Sequence, residues 1–173
     1  ALNPAELLDH AQEMANHHDG RGRPRPIWLR RAVSAAYYAA FHAIGLAVTA
    51  QLAPHASDAD RYRLCRSIDH RALADVSAWV RGQRGNGSRK QHVQAIVTEL
   101  RSDEAISDLA GDLSALQAAR HRADYDHLYI LDKATALTHV AQAQRVLRLL
   151  DQHTGEPNLE RFLALLALHT QRL

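Results

Sequence analysis

The stretch IWLRRAVSAAYYAAFHAIGLAVTAQL, Ile27 to Leu52, decides the fold. It holds no proline, carries charge only at Arg30 and Arg31, and is dominated by alanine, leucine and aromatic residues, so it reads as one long helix. Gly45 is a tolerated weak point and Pro54 closes the helix. Ala32 to Ala53 is apolar enough to raise the question of a membrane span. It is nevertheless alanine-heavy and carries Ser34, two tyrosines and His42, which fits a buried bundle helix better than a lipid-facing one.

The neighbouring segments read the same way. Asn3-Pro4 with Glu6 is a helix start, and the first helix is expected to reach about His18. Residues 19–26, DGRGRPRP, form a stiff basic loop because prolines and glycines forbid a helix there. Ser57-Asp58 and Asp69 are capping residues for two shorter helices, about 58–67 and 70–81. RGQRGNGSRK, residues 81–90, is a second basic loop. A helical pattern returns over about 91–100, and Ser102-Asp103 opens a further helix with Ile106, Leu109, Leu113 and Leu116 on one face. Asp132 caps a helix over about 133–153, with Leu137, Val140, Ala143, Val146, Leu147 and Leu150 on its buried side. Gly155 and Pro157 set off an additional C-terminal helix, about 158–170. No strand pattern and no internal repeat appear. The expectation is one all-α domain over 1–173, an up-and-down helical bundle with short additional helices.

Composition agrees with a folded helical domain. Of 173 residues, 46% are apolar and 23% charged, which argues against disorder. A net charge of +2 does not by itself imply a nucleic-acid partner. The single cysteine, Cys65, leaves no disulfide framework and no cysteine-ligated zinc site. Twelve histidines raise the question of a metal, but none falls at a His-x3-His or His-Glu-x-x-His spacing, and adjacent His17 and His18 point to different faces. No metal and no cofactor is expected. No secretory signal is visible, and the expected location is the cytoplasm, with no membrane partner.

The stretch with the most chemistry is RHRADYDHLY, Arg120 to Tyr129, at the end of a long helix. A guanidinium beside an imidazole is what metal-free phosphodiester cleavage requires: a fixed positive charge and a group that exchanges protons near neutral pH. Arg120 and Arg122 both precede His127. Positions two apart on a helix differ by about 200° in direction, so only one of them can face the same site. The bland alternative is a hydrogen-bonded helix end, with Arg120 or Arg122 paired to Asp124 or Asp126. Ser34, Tyr38 and His42 fall at i, i+4 and i+8 on one helix face. His42 there is either a second proton carrier or phosphate donor near the site, or a buried histidine hydrogen-bonded to a tyrosine or a carbonyl.

Two blocks carry a family resemblance. Ser34, Tyr37, Tyr38, Ala39, Phe41 and His42 form a Ser-x-x-Tyr-Tyr-Ala-x-Phe-His block. About 80 residues later, Arg120, Ala123, Asp124 and Tyr125 form an Arg-x-x-Ala-Asp-Tyr block. In composition and order these resemble small stand-alone prokaryotic members of the HEPN superfamily of helical-bundle proteins.

The resemblance implies a homodimer that brings two Arg-x4–6-His motifs together across its two-fold axis, and a metal-independent endoribonuclease activity. The histidine, His127, would move protons between the RNA 2′-hydroxyl and the leaving 5′-oxygen. The arginine would stabilise charge on the pentavalent phosphorus, and the product would be a 2′,3′-cyclic phosphate.

Two registers fit. Arg122 reaches His127 across four residues, and His127-Leu128-Tyr129 then resembles the form found in the toxin half of HEPN/minimal-nucleotidyltransferase pairs, although Ala123 stands where that form has a polar residue. Arg120 reaches His127 across six, followed by polar His121. In the toxin pairs the residue matching Tyr129 is modified with AMP by a nucleotidyltransferase-type antitoxin; the plain reading of Tyr129 is an aromatic anchor between helices. Asp124 and Tyr125 support the site from the scaffold side. Arg21, Arg23, Arg25, Arg84, Arg89 and Lys90, on the two basic loops, would supply sequence-independent contacts to RNA phosphates, or else are simply solvated. A toxin or phage-defence role follows from the same resemblance; a non-catalytic module binding RNA, nucleotide or a partner protein is the alternative.

Overall fold

The computed structural model describes residues 3–17, 24–83 and 91–170. Among them are eight helices and no strand: α1 Pro4–Asn16, α2 Pro26–Leu52, α3 Asp58–Cys65, α4 His70–Val80, α5 Gln91–Ser102, α6 Glu104–Tyr125, α7 Lys133–Gln152 and α8 Pro157–Thr170. The protein is all-α, a helical bundle.

The helix starts are fixed by the side chains that mark them in the sequence. Asn3 Oδ1 accepts the Ala5 amide at 3.0 Å, Ser57 Oγ that of Asp60 at 3.2 Å and Asp69 Oδ1 that of Arg71 at 2.9 Å. Asp103 and Asp132 do the same for Ile106 and Thr135 at 3.2 and 2.7 Å. Each satisfies an amide that has no partner within its helix.

Helix α2 is the centre of the bundle. It packs against α1, α3, α6, α7 and α8, while α6 also meets α4, α5 and α7. Its core side, from Leu29 and Val33 through Tyr37, Ile44 and Val48, is closed to solvent, as is the α6 stripe of Ile106, Leu109, Leu113 and Leu116. By length and composition α2 is the one described helix apolar enough to cross a bilayer; in the fold 61% of its most apolar stretch is buried.

Gly45 is more than a weak point in this helix. A Cβ there would overlap the Sγ of Cys65, so the glycine is what lets the end of α3 seat against α2. At the far side of α6, buried Asp112 pairs with Arg145 of α7, accepting from its Nε at 2.6 Å and from its Nη2. That forked contact ties α6 to α7 and leaves the other end of α6 to α2.

Candidate functional site

The end of α6 leaves carbonyls without intrahelical partners, and α2 supplies them from its first turns. Arg30 Nη1 donates to the carbonyls of Ala123 at 2.9 Å and Asp126 at 2.8 Å. Its Nη2 donates to the Tyr129 carbonyl at 2.6 Å and lies 3.5 Å from that of His127. A guanidinium is suited to this because its planar fork offers five donors, and a positive charge is favoured at a helix C-terminus. Asp126 completes the turn: its amide bonds to the Arg122 carbonyl and its Oδ1 accepts the Leu128 amide at 2.9 Å. The His127 turn is thereby fixed to α2.

One face of α2 then meets α6 rank by rank. Ser34 Oγ donates to Asp124 Oδ1 at 2.5 Å. One turn on, the Tyr38 hydroxyl accepts from Arg120 Nη2 at 3.0 Å, and one turn further His42 stacks on Tyr38 with ring centroids 6.3 Å apart. The Arg120 Nε sits 2.6 Å from Asp124 Oδ2, close enough for an ion pair but without hydrogen-bond alignment. The same guanidinium lies over the rings of Tyr38 and Tyr125, at 5.5 and 5.3 Å. Burial works against the Arg120 charge, but Tyr38, Asp124 and Tyr125 outweigh it and hold the group cationic.

The two motif arginines do diverge. Arg120 turns inward to Tyr38, whereas Arg122 is exposed and lies over the Tyr129 ring at 4.7 Å. Neither lines the cleft that His127 faces. That cleft, of about 740 Å³, is walled by Pro26, Ile27, Arg30, Arg31 and Ser34 from α2 and by Ala123, Asp124 and His127. It is an open groove, so a ligand lying in it stays in contact with solvent. The His127 side chain is exposed and makes no hydrogen bond, ion pair or ring contact among the described residues.

Other expected site residues fall as follows. Tyr125 is exposed beside His121, ring centroids 5.1 Å apart. Tyr129 is half-buried against the core, in keeping with an anchor. Arg25 is described, as the residue that precedes α2. Arg21, Arg23, Arg84, Arg89 and Lys90 lie outside the described residues. Among the described residues no three His, Cys, Asp or Glu side chains converge in a metal-binding cluster.

Three residues of this region escape sequence reasoning. Arg30 and Arg31 look like ordinary solvated charges at a helix start; the partners of Arg30 lie more than 90 residues away in the chain, and Arg31 meets His127 only across the cleft. His70, the first residue of α4, is the third. Its Nδ1 is 2.6 Å from the Tyr37 hydroxyl, and its ring stacks on Phe41 at 3.9 Å. Tyr37 is 1% exposed, and the His70 nitrogen is the hydrogen-bond partner of its hydroxyl. Burial raises the Tyr37 pKa and keeps it protonated. His70 is pushed below its ordinary range by burial and then by the nearby Arg120 charge, and His42 by burial. The histidine bonded to a tyrosine is thus His70, while His42 contributes a stacked ring. The signal that could have pointed to His70 is its place directly after the Asp69 cap.

Compared with protein-family models, curated proteins and solved structures, the chain finds no match.

Proposed function

We propose that the protein is a metal-independent endoribonuclease of the HEPN type, acting as a homodimer in a toxin or phage-defence setting. One observation carries the reading: His127, uncommitted and solvent-facing, shares an open cleft with the side chains of Arg30 and Arg31. Its imidazole can take the 2′-hydroxyl proton while O2′ bonds to phosphorus and the P–O5′ bond breaks, and return a proton to O5′. Fixed guanidinium charge offsets the negative charge that builds on the phosphorane oxygens. Arg120, oriented by Asp124 and Tyr38, or exposed Arg122, would supply that charge across the dimer axis. Exposed Ile27 on the cleft wall, and exposed Leu128 and Ile130 in the segment after His127, would give a dimer apolar surface to bury.

The test is incubation of the purified protein with tRNA and mRNA in EDTA, beside His127→Ala. Wild type should cut and the variant should lose at least a hundredfold in rate; RNA left intact by wild type, or equal cutting by both, would defeat the proposal. If an antitoxin of the nucleotidyltransferase type acts here, the acceptor is the Tyr129 hydroxyl, and mass spectrometry would find AMP on that residue.

A second reading is favoured by one specific relationship. Arg120 is committed within its own chain to Asp124 and Tyr38, which suits a non-catalytic module of the same type that binds RNA, nucleotide or a partner protein. RNA binding without turnover would select it.

A further inference from the structure

The charge around the His127 cleft does not come from the motif arginines. Among the described residues its lining holds two guanidinium groups, Arg30 and Arg31, one carboxylate, Asp124, and the imidazole of His127. Asp124 already sits 2.6 Å from Arg120 Nε, behind the cleft wall, so its charge is balanced there. Arg30 spends its donors on backbone carbonyls and, among the described residues, meets no carboxylate, so only the partial charges of those carbonyls offset it. Asp126 is turned to the Leu128 amide and does not line the cleft. Arg31 is exposed, and its guanidinium makes no hydrogen bond or ion pair among the described residues. The cleft therefore carries a positive field with one set of guanidinium donors free to bind. Such a wall attracts anions and presents the fork geometry that phosphate oxygens take up.

We infer that Arg31 is the phosphate-binding residue of the His127 cleft, holding an RNA backbone phosphodiester beside the imidazole within a single chain. Arg30 holds the His127 turn in place as a positioning residue, and the Ser34 hydroxyl, committed to Asp124, marks the floor. This assignment builds on the nuclease reading for its rate measurement only; its binding measurement stands without turnover.

The experiment uses the full chain and a fluorescein-labelled RNA oligonucleotide carrying 2′-O-methyl at every residue, which cannot be cleaved by 2′-hydroxyl attack. Arg31→Ala should weaken its binding roughly tenfold or more, reduce the slope of log affinity against log salt by about one, and leave the fold unchanged because Arg31 is exposed. Arg31→Lys should recover part of the loss, since charge returns without the fork. The His127 imidazole NMR signals should shift when the oligonucleotide binds wild type, and not when it is added to Arg31→Ala. Equal oligonucleotide binding by wild type and Arg31→Ala, or no binding by wild type, would overturn the inference. His127 signals that respond to inorganic phosphate alone, with oligonucleotide binding indifferent to Arg31, would overturn it in favour of a free-phosphate site. The two proposals fail separately. Arg31-dependent binding without cleavage removes the nuclease and keeps the phosphate site; cleavage with binding and rate untouched by Arg31→Ala does the reverse.

Discussion

Arg30 Nη2 donates to the carbonyl of Tyr129 at 2.6 Å, across 99 positions of sequence. With the bonds to Ala123 and Asp126 it makes one side chain the tie between the start of α2 and the end of α6. Arg30→Ala should cost about 2–3 kcal/mol, because partly buried carbonyls lose a charged donor. Lysine should restore little, since a single ammonium cannot span the same set of carbonyls. Urea unfolding of the two variants measures this. Amide exchange at Leu128 and Tyr129 should also quicken; an unchanged midpoint and unchanged exchange would show that the clamp does not hold the turn.

Gly45 and Cys65 should behave as a coupled pair. Alanine at 45 gains about 1 kcal/mol in helix propensity, but its methyl overlaps Cys65 Sγ. Overlap in a packed core costs about 1–3 kcal/mol, so Gly45→Ala should be destabilising on balance. Adding Cys65→Ala removes the obstruction and should return most of the loss. A double-mutant cycle in thermal unfolding reads the coupling, and strict additivity would disprove the close approach.

The Asp112–Arg145 pair should respond unequally to removal of its two members. The Asp112 side chain is 5% exposed and that of Arg145 48% exposed. Arg145→Ala strands a buried carboxylate and should cost about 3 kcal/mol, toward the lower end for a broken buried pair because Arg145 is half in water. Asp112→Ala leaves a guanidinium that water can reach, and should cost less, with some loss of packing. The reverse order in chemical denaturation would mean that the carboxylate is better solvated than its burial indicates.

Acid should weaken the fold through the two histidines of the aromatic cluster. His42 and His70 both have folded-state pKa values below the ordinary 6.5. As pH falls below that value, the unfolded chain takes up protons that the folded chain resists, so stability declines over this window and levels off below the folded values. Stability is fully present above the ordinary value. Denaturant midpoints at intervals from pH 8 to pH 5 should fall, and His70→Gln should flatten the decline. A decline of the same steepness in that variant would move the cause elsewhere.

The fold was legible in the sequence to within a few residues. Each helix announces itself by a cap, an apolar stripe or a proline, and the five side chains Asn3, Ser57, Asp69, Asp103 and Asp132 all bond the amides of their own first turns. These are local signals, and local physics fixes them. The helix ends moved where no strong stop exists: α1 ends at Asn16, short of His18, and α5 continues to Ser102, past Leu100.

The site was legible by face but not by partner. The spacing of Ser34, Tyr38 and His42 identifies one side of α2, and the opposed directions of Arg120 and Arg122 follow from helical geometry. That Ser34 meets Asp124, that Arg30 clamps the turn, and that Arg31 rather than a motif arginine lines the cleft with His127 all depend on how α2 crosses α6. No periodicity encodes that crossing. His70 joins through α4, which the sequence places as a helix without saying against what it packs.

The most direct measurement is the chemical identity of the new ends when end-labelled RNA is incubated with the protein in EDTA. Attack by the 2′-hydroxyl without a metal predicts a 2′,3′-cyclic phosphate on one fragment and a 5′-hydroxyl on the other, both lost in His127→Ala. Intact RNA, or fragments ending in a 3′-hydroxyl and a 5′-phosphate, would contradict the account.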